Sequence, residues 1–114
     1  MAKKNEIILY IDDNVSAGAT DILESPVIAN GKTIKVLRFG GLDLNIGDNK
    51  GSIIALQWGD GGSWDTIRAH SGGTLEFDIN RAFEGNGTKK FRIVRMNKSA
   101  QAKLIGAWFE GIIL

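Results

Sequence analysis

Residues able to do chemistry are few and scattered in this sequence. His70 is the only histidine, and there is no cysteine. A serine nucleophile needs a base within hydrogen-bond reach. Ser71, the hydroxyl beside His70, is its immediate neighbour and in an extended chain points to the opposite face. No G-x-S-x-G elbow is present. Glu76 and Asp78 are two residues apart on one strand face. Glycoside hydrolysis uses two carboxyl groups about 5–10 Å apart across a cleft, but this spacing is also the ordinary polar face of a half-buried strand. Asp12-Asp13-Asn14 and Asp43-x-Asn45 with Asp48-Asn49 are rich in oxygen. Neither follows the spacing of a calcium-binding loop, and such residues also close turns with their own side chains. Without cysteine, thiolate zinc is excluded. Gly59-x-Gly61-Gly62 and Gly85-x-Gly87 are not followed by a helical pattern that could aim amides at a phosphate. The expectation is a non-enzyme with no catalytic residue, metal or cofactor.

Binding chemistry is better represented. Trp58 and Trp64 flank the turn Gly59–Ser63, and two indoles there, with Asp60, could form a stacking platform for a surface glycan. Alternatively, Trp58 continues the Ile54–Leu56 core face and Trp64 packs across the hairpin, an aromatic pairing that needs no ligand. Lys89-Lys90-Phe91-Arg92-Ile93-Val94-Arg95 is the only basic stretch interleaved with aromatic and aliphatic residues. Lys90 and Arg92 share a face, whereas Arg95 falls with Phe91 and Ile93. Charges on an exposed strand also guard against edge pairing. With a net charge of +1, no global field draws the chain to nucleic acid or acidic lipid, and neither partner is expected.

These side chains are carried on short alternating runs, with no apolar stripe of helical period. Thr74–Asn80 is the clearest, with Leu75, Phe77 and Ile79 on one face and polar residues on the other. Further strands are expected over residues 6–12, 19–24, 26–29, 32–46, 52–58, 64–69, 89–97 and 102–113. Within 32–46, Ile34 and Val36 point one way, and Leu37, Phe39, Leu42, Leu44 and Ile46 follow a shifted phase, which reads as a β-bulge. Residues 80–84 could form a short helical turn. The sequence has 15 glycines against a single proline, Pro26. Dense turn signals fall at 48–51, 59–63, 71–73 and 84–88. About eight strands so spaced in a chain of 114 residues point to one domain, 1–114. Its expected class is all-β, a β-sandwich or barrel by strand spacing, and of these an antiparallel β-sandwich of jelly-roll type is the expectation adopted.

The first and last strands differ from the others because both faces are apolar. Ile7, Leu9 and Ile11 oppose Ile8 and Tyr10; Leu104, Trp108, Ile112 and Leu114 oppose Ile105, Ala107, Phe109 and Ile113. A sandwich strand with one solvent face shows a polar face there, so either a loop or another subunit covers these strands. Taking a subunit as the cover makes Ile8, Tyr10, Ile105, Phe109 and Ile113 the contact candidates. The apolar run Ile7–Ile11 is five residues long. That is short of the about 7–15 of a signal segment and the about 20 of a membrane helix, so neither export nor membrane association is expected. The sequons at Asn14, Asn86 and Asn97 read as chance in a turn-rich chain.

Several stretches together resemble a family. Ser25-Pro26-Val27-Ile28-Ala29-Asn30-Gly31-Lys32-Thr33 and Arg38-Phe39-Gly40-Gly41 are similar to the opening strands of small jelly-roll accessory proteins of tailed-bacteriophage virions. Ala55–Gly59, Glu76–Arg81, Arg92–Asn97 and Ala107–Gly111 extend the likeness over residues 20–112, in style and spacing. The resemblance implies a virion protein made in the host cytoplasm and lacking catalytic residues. It would be a capsid-decoration or cement protein, or else a neck, tail or fibre-associated one. Its implied partners are further copies of itself, a trimer being common, and a major capsid or other virion protein. A carbohydrate-binding module using Trp58, Asp60 and Trp64 is the alternative from a different class. A calcium-stabilised adhesion domain is a third.

Overall fold

A computed structural model describes residues 6–43, 52–71 and 73–114. Eight strands follow in chain order: β1 (Glu6–Val15), β2 (Thr20–Glu24), β3 (Thr33–Asp43), β4 (Ser52–Asp60), β5 (Ser63–Ser71), β6 (Gly73–Glu84), β7 (Lys90–Asn97) and β8 (Lys103–Ile113). They form two antiparallel four-stranded sheets, ordered β1-β8-β3-β6 and β2-β7-β4-β5. The chain changes sheets at nearly every connection, and the last strand returns to lie beside the first. This is the double-sheet arrangement of a jelly roll, a sandwich and not the barrel that the short apolar runs and turns also allow.

The core lies between the sheets. Ile34, Val36, Phe39, Ile105, Ala107 and Phe109 of the first sheet meet Ile54, Leu56, Trp58, Phe91 and Ile93 of the second, all buried. Full burial of each large apolar side chain is worth about 1.5–3 kcal/mol. Aromatic rings join the layers: Phe91 stands 4.9 Å from Phe109 and 4.5 Å from Trp58, and Trp58 stands 5.4 Å from Phe83.

The phase slip in β3 is a bulge. Its register against both β6 and β8 shifts between Val36 and Arg38, so one extra residue lets Ile34, Val36 and Phe39 all face inward. Leu42 does not share the phase of Phe39. It packs on the outer side, beside Gly106. Leu44, Ile46 and the turn at 48–51 lie outside the described residues, as do Asn45, Asp48 and Asn49 of the oxygen-rich stretch and Gly72 of the turn at 71–73.

Two local expectations are corrected. Residues 26–29 are not a strand, although Ser25 and Ile28 donate backbone hydrogen bonds to Phe91 and Lys89. Pro26 has no amide to continue such a ladder. Residues 80–84 are the end of β6, not a helical turn. Asn80 takes a left-handed φ of 51°, at the register shift between Asp78 and Arg81, after which the strand pairs with β3 again through Glu84.

At one end of the sandwich, polar groups replace apolar packing. Arg95 shares the inward phase of Phe91 and Ile93, and its side chain is 2% exposed. It ion-pairs with Asp13 at 2.8 Å and with Asp21, and it donates to the Ile105 carbonyl at 2.6 Å. Buried Asn97 donates from its amide to the carbonyls of Val15 and Gln101, each at 2.8 Å. β1, β2, β7 and β8 are thus tied together where an apolar side chain would leave backbone oxygens unpaired.

Candidate functional site

The outer face of the first sheet is built from the residues of β1 and β8 that point away from the core. β1 contributes Glu6, Ile8, Tyr10 and Asp12. In register beside them β8 contributes Ile112, Glu110, Trp108 and Gly106. β3 adds Arg38, Gly40 and Leu42 to the same rows, and β6 adds Glu76 and Asp78. The face therefore grades from apolar at β1 to charged at β6. Ile8 is 59% exposed and Tyr10 63% exposed, with Leu104 also open to solvent. No described loop folds over Ile8 or Tyr10.

The aromatic members are held in place by their polar ends. Tyr10 donates its hydroxyl to Asp12 at 2.8 Å. That hydrogen bond, and to a smaller degree desolvation and the Asp12 charge, raises the phenol pKa. Trp108 lies beside Tyr10 and donates Nε1 to Glu76 at 3.1 Å. The indole covers Gly40, the residue in register on β3, where any side chain would collide with the ring. Glu76 and Asp78, the carboxylates considered above, thus sit on this outer face, and Glu76 anchors an indole.

Three of the five contact candidates are misplaced. Ile105 and Phe109 are fully buried in the core, and Ile113 packs against it. They belong to the inward phase of β8, and covering them is the work of the opposing sheet. The apolar residues of β8 on the same outward face as Ile8 and Tyr10 are Leu104, Trp108 and Ile112. Their face was identifiable from the sequence, because it also carries the charged Glu110.

The two-indole platform is likewise corrected. Trp58 is core, 6% exposed, while Trp64 lies on the outer side with Arg92 4.1 Å above its ring. Trp64 donates to the Gly61 carbonyl at 2.9 Å, and Asp60 accepts a hydrogen bond from Thr88 at 2.5 Å. The two rings do not share a surface, so no sugar can stack on both. Around Trp64 the outer face of the second sheet is a closed polar network. Arg92 donates to Gln57 at 2.7 Å, Gln57 donates to Thr66 at 3.1 Å, and Lys90 pairs with Glu24 at 2.8 Å. With Arg95 buried, the basic stretch of β7 has its charges engaged within the molecule. At its other end this face carries Ile22, which is exposed beside the buried Val94 and Ala55.

His70 points inward from β5. Its ring stands 5.6 Å from that of Phe77 and 6.4 Å from that of Phe39. Both ring nitrogens are buried, with no hydrogen-bond partner among the described residues. Burial lowers its pKa. It faces apolar rings instead of a nucleophile.

No family model matches this chain, and no curated protein does. Among solved structures, the Yersinia pseudotuberculosis-derived mitogen is similar with a TM-score of 0.54 at 12% identity, over 93% of this chain and 85% of that one. The likeness is one of fold. Two viral proteins are among the other similar structures. One is from infectious bursal disease virus (Gt strain), with TM-score 0.48 and 11% identity, over 98% of this chain and 33% of that one. The other is a pentameric capsid protein isolated from metagenomic phage sequences, with TM-score 0.44 and 10% identity, over 95% of this chain and 62% of that one.

Proposed function

We propose that this chain is a non-enzymatic building block of a phage particle, a homo-oligomeric capsid-decoration protein whose first sheet is covered by virion partners. The observation carrying this reading is the apolar, solvent-facing row of Ile8, Tyr10 and Trp108 on the outer side of β1 and β8. An antiparallel sheet facing water presents polar residues there, and contiguous exposed apolar surface on a small domain marks a contact site. The virion part of the reading rests on the resemblance of residues 20–112 to phage accessory proteins and on the jelly-roll strand order. Decoration is preferred over a neck, tail or fibre position because the apolar row lies on an open sheet face instead of at a loop or strand end.

The test is fractionation of particles from the phage carrying this gene, with antibody-labelled electron microscopy. Label distributed over the shell is the expected outcome, and Tyr10→Ser with Ile8→Ser should remove it while leaving the purified protein folded. Label confined to the neck or tail would move the protein there. A chain that stays in the soluble fraction overturns the reading.

A further inference from the structure

The four sheet edges are not treated alike. β2 is five residues long and runs into Pro26. β5 is distorted by a register shift opposite Leu56 and Gln57 and carries exposed Asp65 and Arg68. β6 is kinked at Asn80 and lined by Glu76, Asp78, Arg81 and Glu84. Short length, bulges, kinks and charge are the devices that stop an edge from recruiting another strand. β1 has none of them along its middle. It pairs with β8 without interruption from Glu6 to Val15, and no described strand lies on its other side. The run Ile7–Ile11 has no charge, proline or glycine. Its inward side chains, Ile7, Leu9 and Ile11, pack against the core yet are only partly buried. Beyond this run the edge is closed, because Arg95 and Asn97 donate to the Asp13 and Val15 carbonyls.

We infer that the Ile7–Ile11 edge of β1 is completed by the same edge of a second copy, paired antiparallel about a two-fold axis normal to the sheet. Self-pairing of one strand about a dyad is self-complementary, and two features favour a copy of this chain as the occupant. Pairing residues of like parity keeps inward side chains on the inward side, so the half-covered Ile7, Leu9 and Ile11 of the two copies meet. The outer rows of Ile8 and Tyr10 also join across the axis, doubling the apolar surface presented to a shell. The inference deepens the assembly reading by naming the first neighbour and its geometry.

The absence of native cysteine makes single-cysteine variants clean probes. Sedimentation equilibrium of the intact chain should give a dimer. Under mild oxidation, cross-linked dimer is expected from Ile8→Cys, from Tyr10→Cys, or from an equimolar mixture of the two, according to which residue lies on the axis. Adjacent strands stand about 4.8 Å apart, within disulfide reach. Glu110→Cys, one strand further in, would face its mate at about 14 Å, three strand spacings, and should not cross-link. A lone chain at every concentration overturns the inference, and so does a three-fold ring. Cross-linking through Glu110→Cys alone also overturns it, since the copies would then meet face to face. The particle experiment fails or succeeds separately. A monomer on the shell removes the edge pairing and the homo-oligomer but leaves the virion role, and a dimer absent from particles removes only the virion role.

Discussion

The indole of Trp108 lies across Gly40, so closely that a methyl group at residue 40 would occupy the volume of the ring. Gly40→Ala should therefore lift the indole and break its hydrogen bond to Glu76. Overpacking of this kind typically costs about 1–3 kcal/mol. The lower end is expected, because the ring can swing toward solvent. A urea midpoint lowered modestly, with a changed near-ultraviolet circular dichroism spectrum, is the expected result. An unchanged spectrum would mean that the ring does not rest on the glycine.

Trp58 and Trp64 should respond very differently to truncation. Trp58→Ala empties a site lined by Phe83 and Phe91, and such core deletions cost about 3–5 kcal/mol. Trp64→Ala loses the contact with Arg92, worth about 0.5–1 kcal/mol at an exposed site. Denaturant titration of both variants measures the difference. Equal losses would contradict the assignment of one ring to the core and the other to the surface.

Arg95→Met tests the polar end of the sandwich. Methionine keeps the aliphatic stem but leaves the Ile105 carbonyl without its donor. Asp13 and Asp21, 63% and 44% exposed, can regain water. The loss is therefore expected near the cost of one unsatisfied buried group, about 1–3 kcal/mol. It should fall below that of breaking a fully enclosed ion pair. Asp21→Asn should cost less, because Asp13 continues to hold the guanidinium. Urea unfolding at low and high salt checks both, and weak salt dependence is expected of the buried guanidinium.

His70 makes stability pH-dependent. Burial lowers its folded-state pKa below the ordinary value of 6.5. Between the two values the unfolded chain binds a proton that the folded chain does not. Stability is therefore full above about 6.5 and declines as pH falls through the folded pKa. The urea midpoint should drop between neutral and mildly acidic pH, and His70→Leu should flatten that portion of the profile. A His70→Leu profile as steep as the original would assign the acid sensitivity to other groups.

Much of the architecture was legible because strand alternation is a local signal. The Ile34–Val36–Phe39 slip reveals its bulge, and Arg95 sharing a phase with Phe91 and Ile93 already places a guanidinium among core residues. Its carboxylate partners were not legible, since Asp13 and Asp21 reach it only through the pairing of separate strands. β8 divided correctly into two faces, but both are apolar, and hydrophobicity alone favoured Ile105 and Phe109 as contacts. Glu110 was the discriminating residue. Trp58 and Trp64 flank one turn and look adjacent in sequence. The alternation that puts Ile54, Leu56 and Trp58 on one side is what separates them. Residues 26–29 look like a strand by composition, yet Pro26 denies them a ladder.

The return of β8 to a position between β1 and β3 has a consequence for synthesis. A ribosome delivers β1 about ninety residues before β8, its neighbour among the described strands, a distance read from the strand limits Val15 and Lys103, and such long-range pairings close slowly. Until β8 emerges, the greasy ribbon of Ile7–Ile11 has no described strand of its own sheet to pair with.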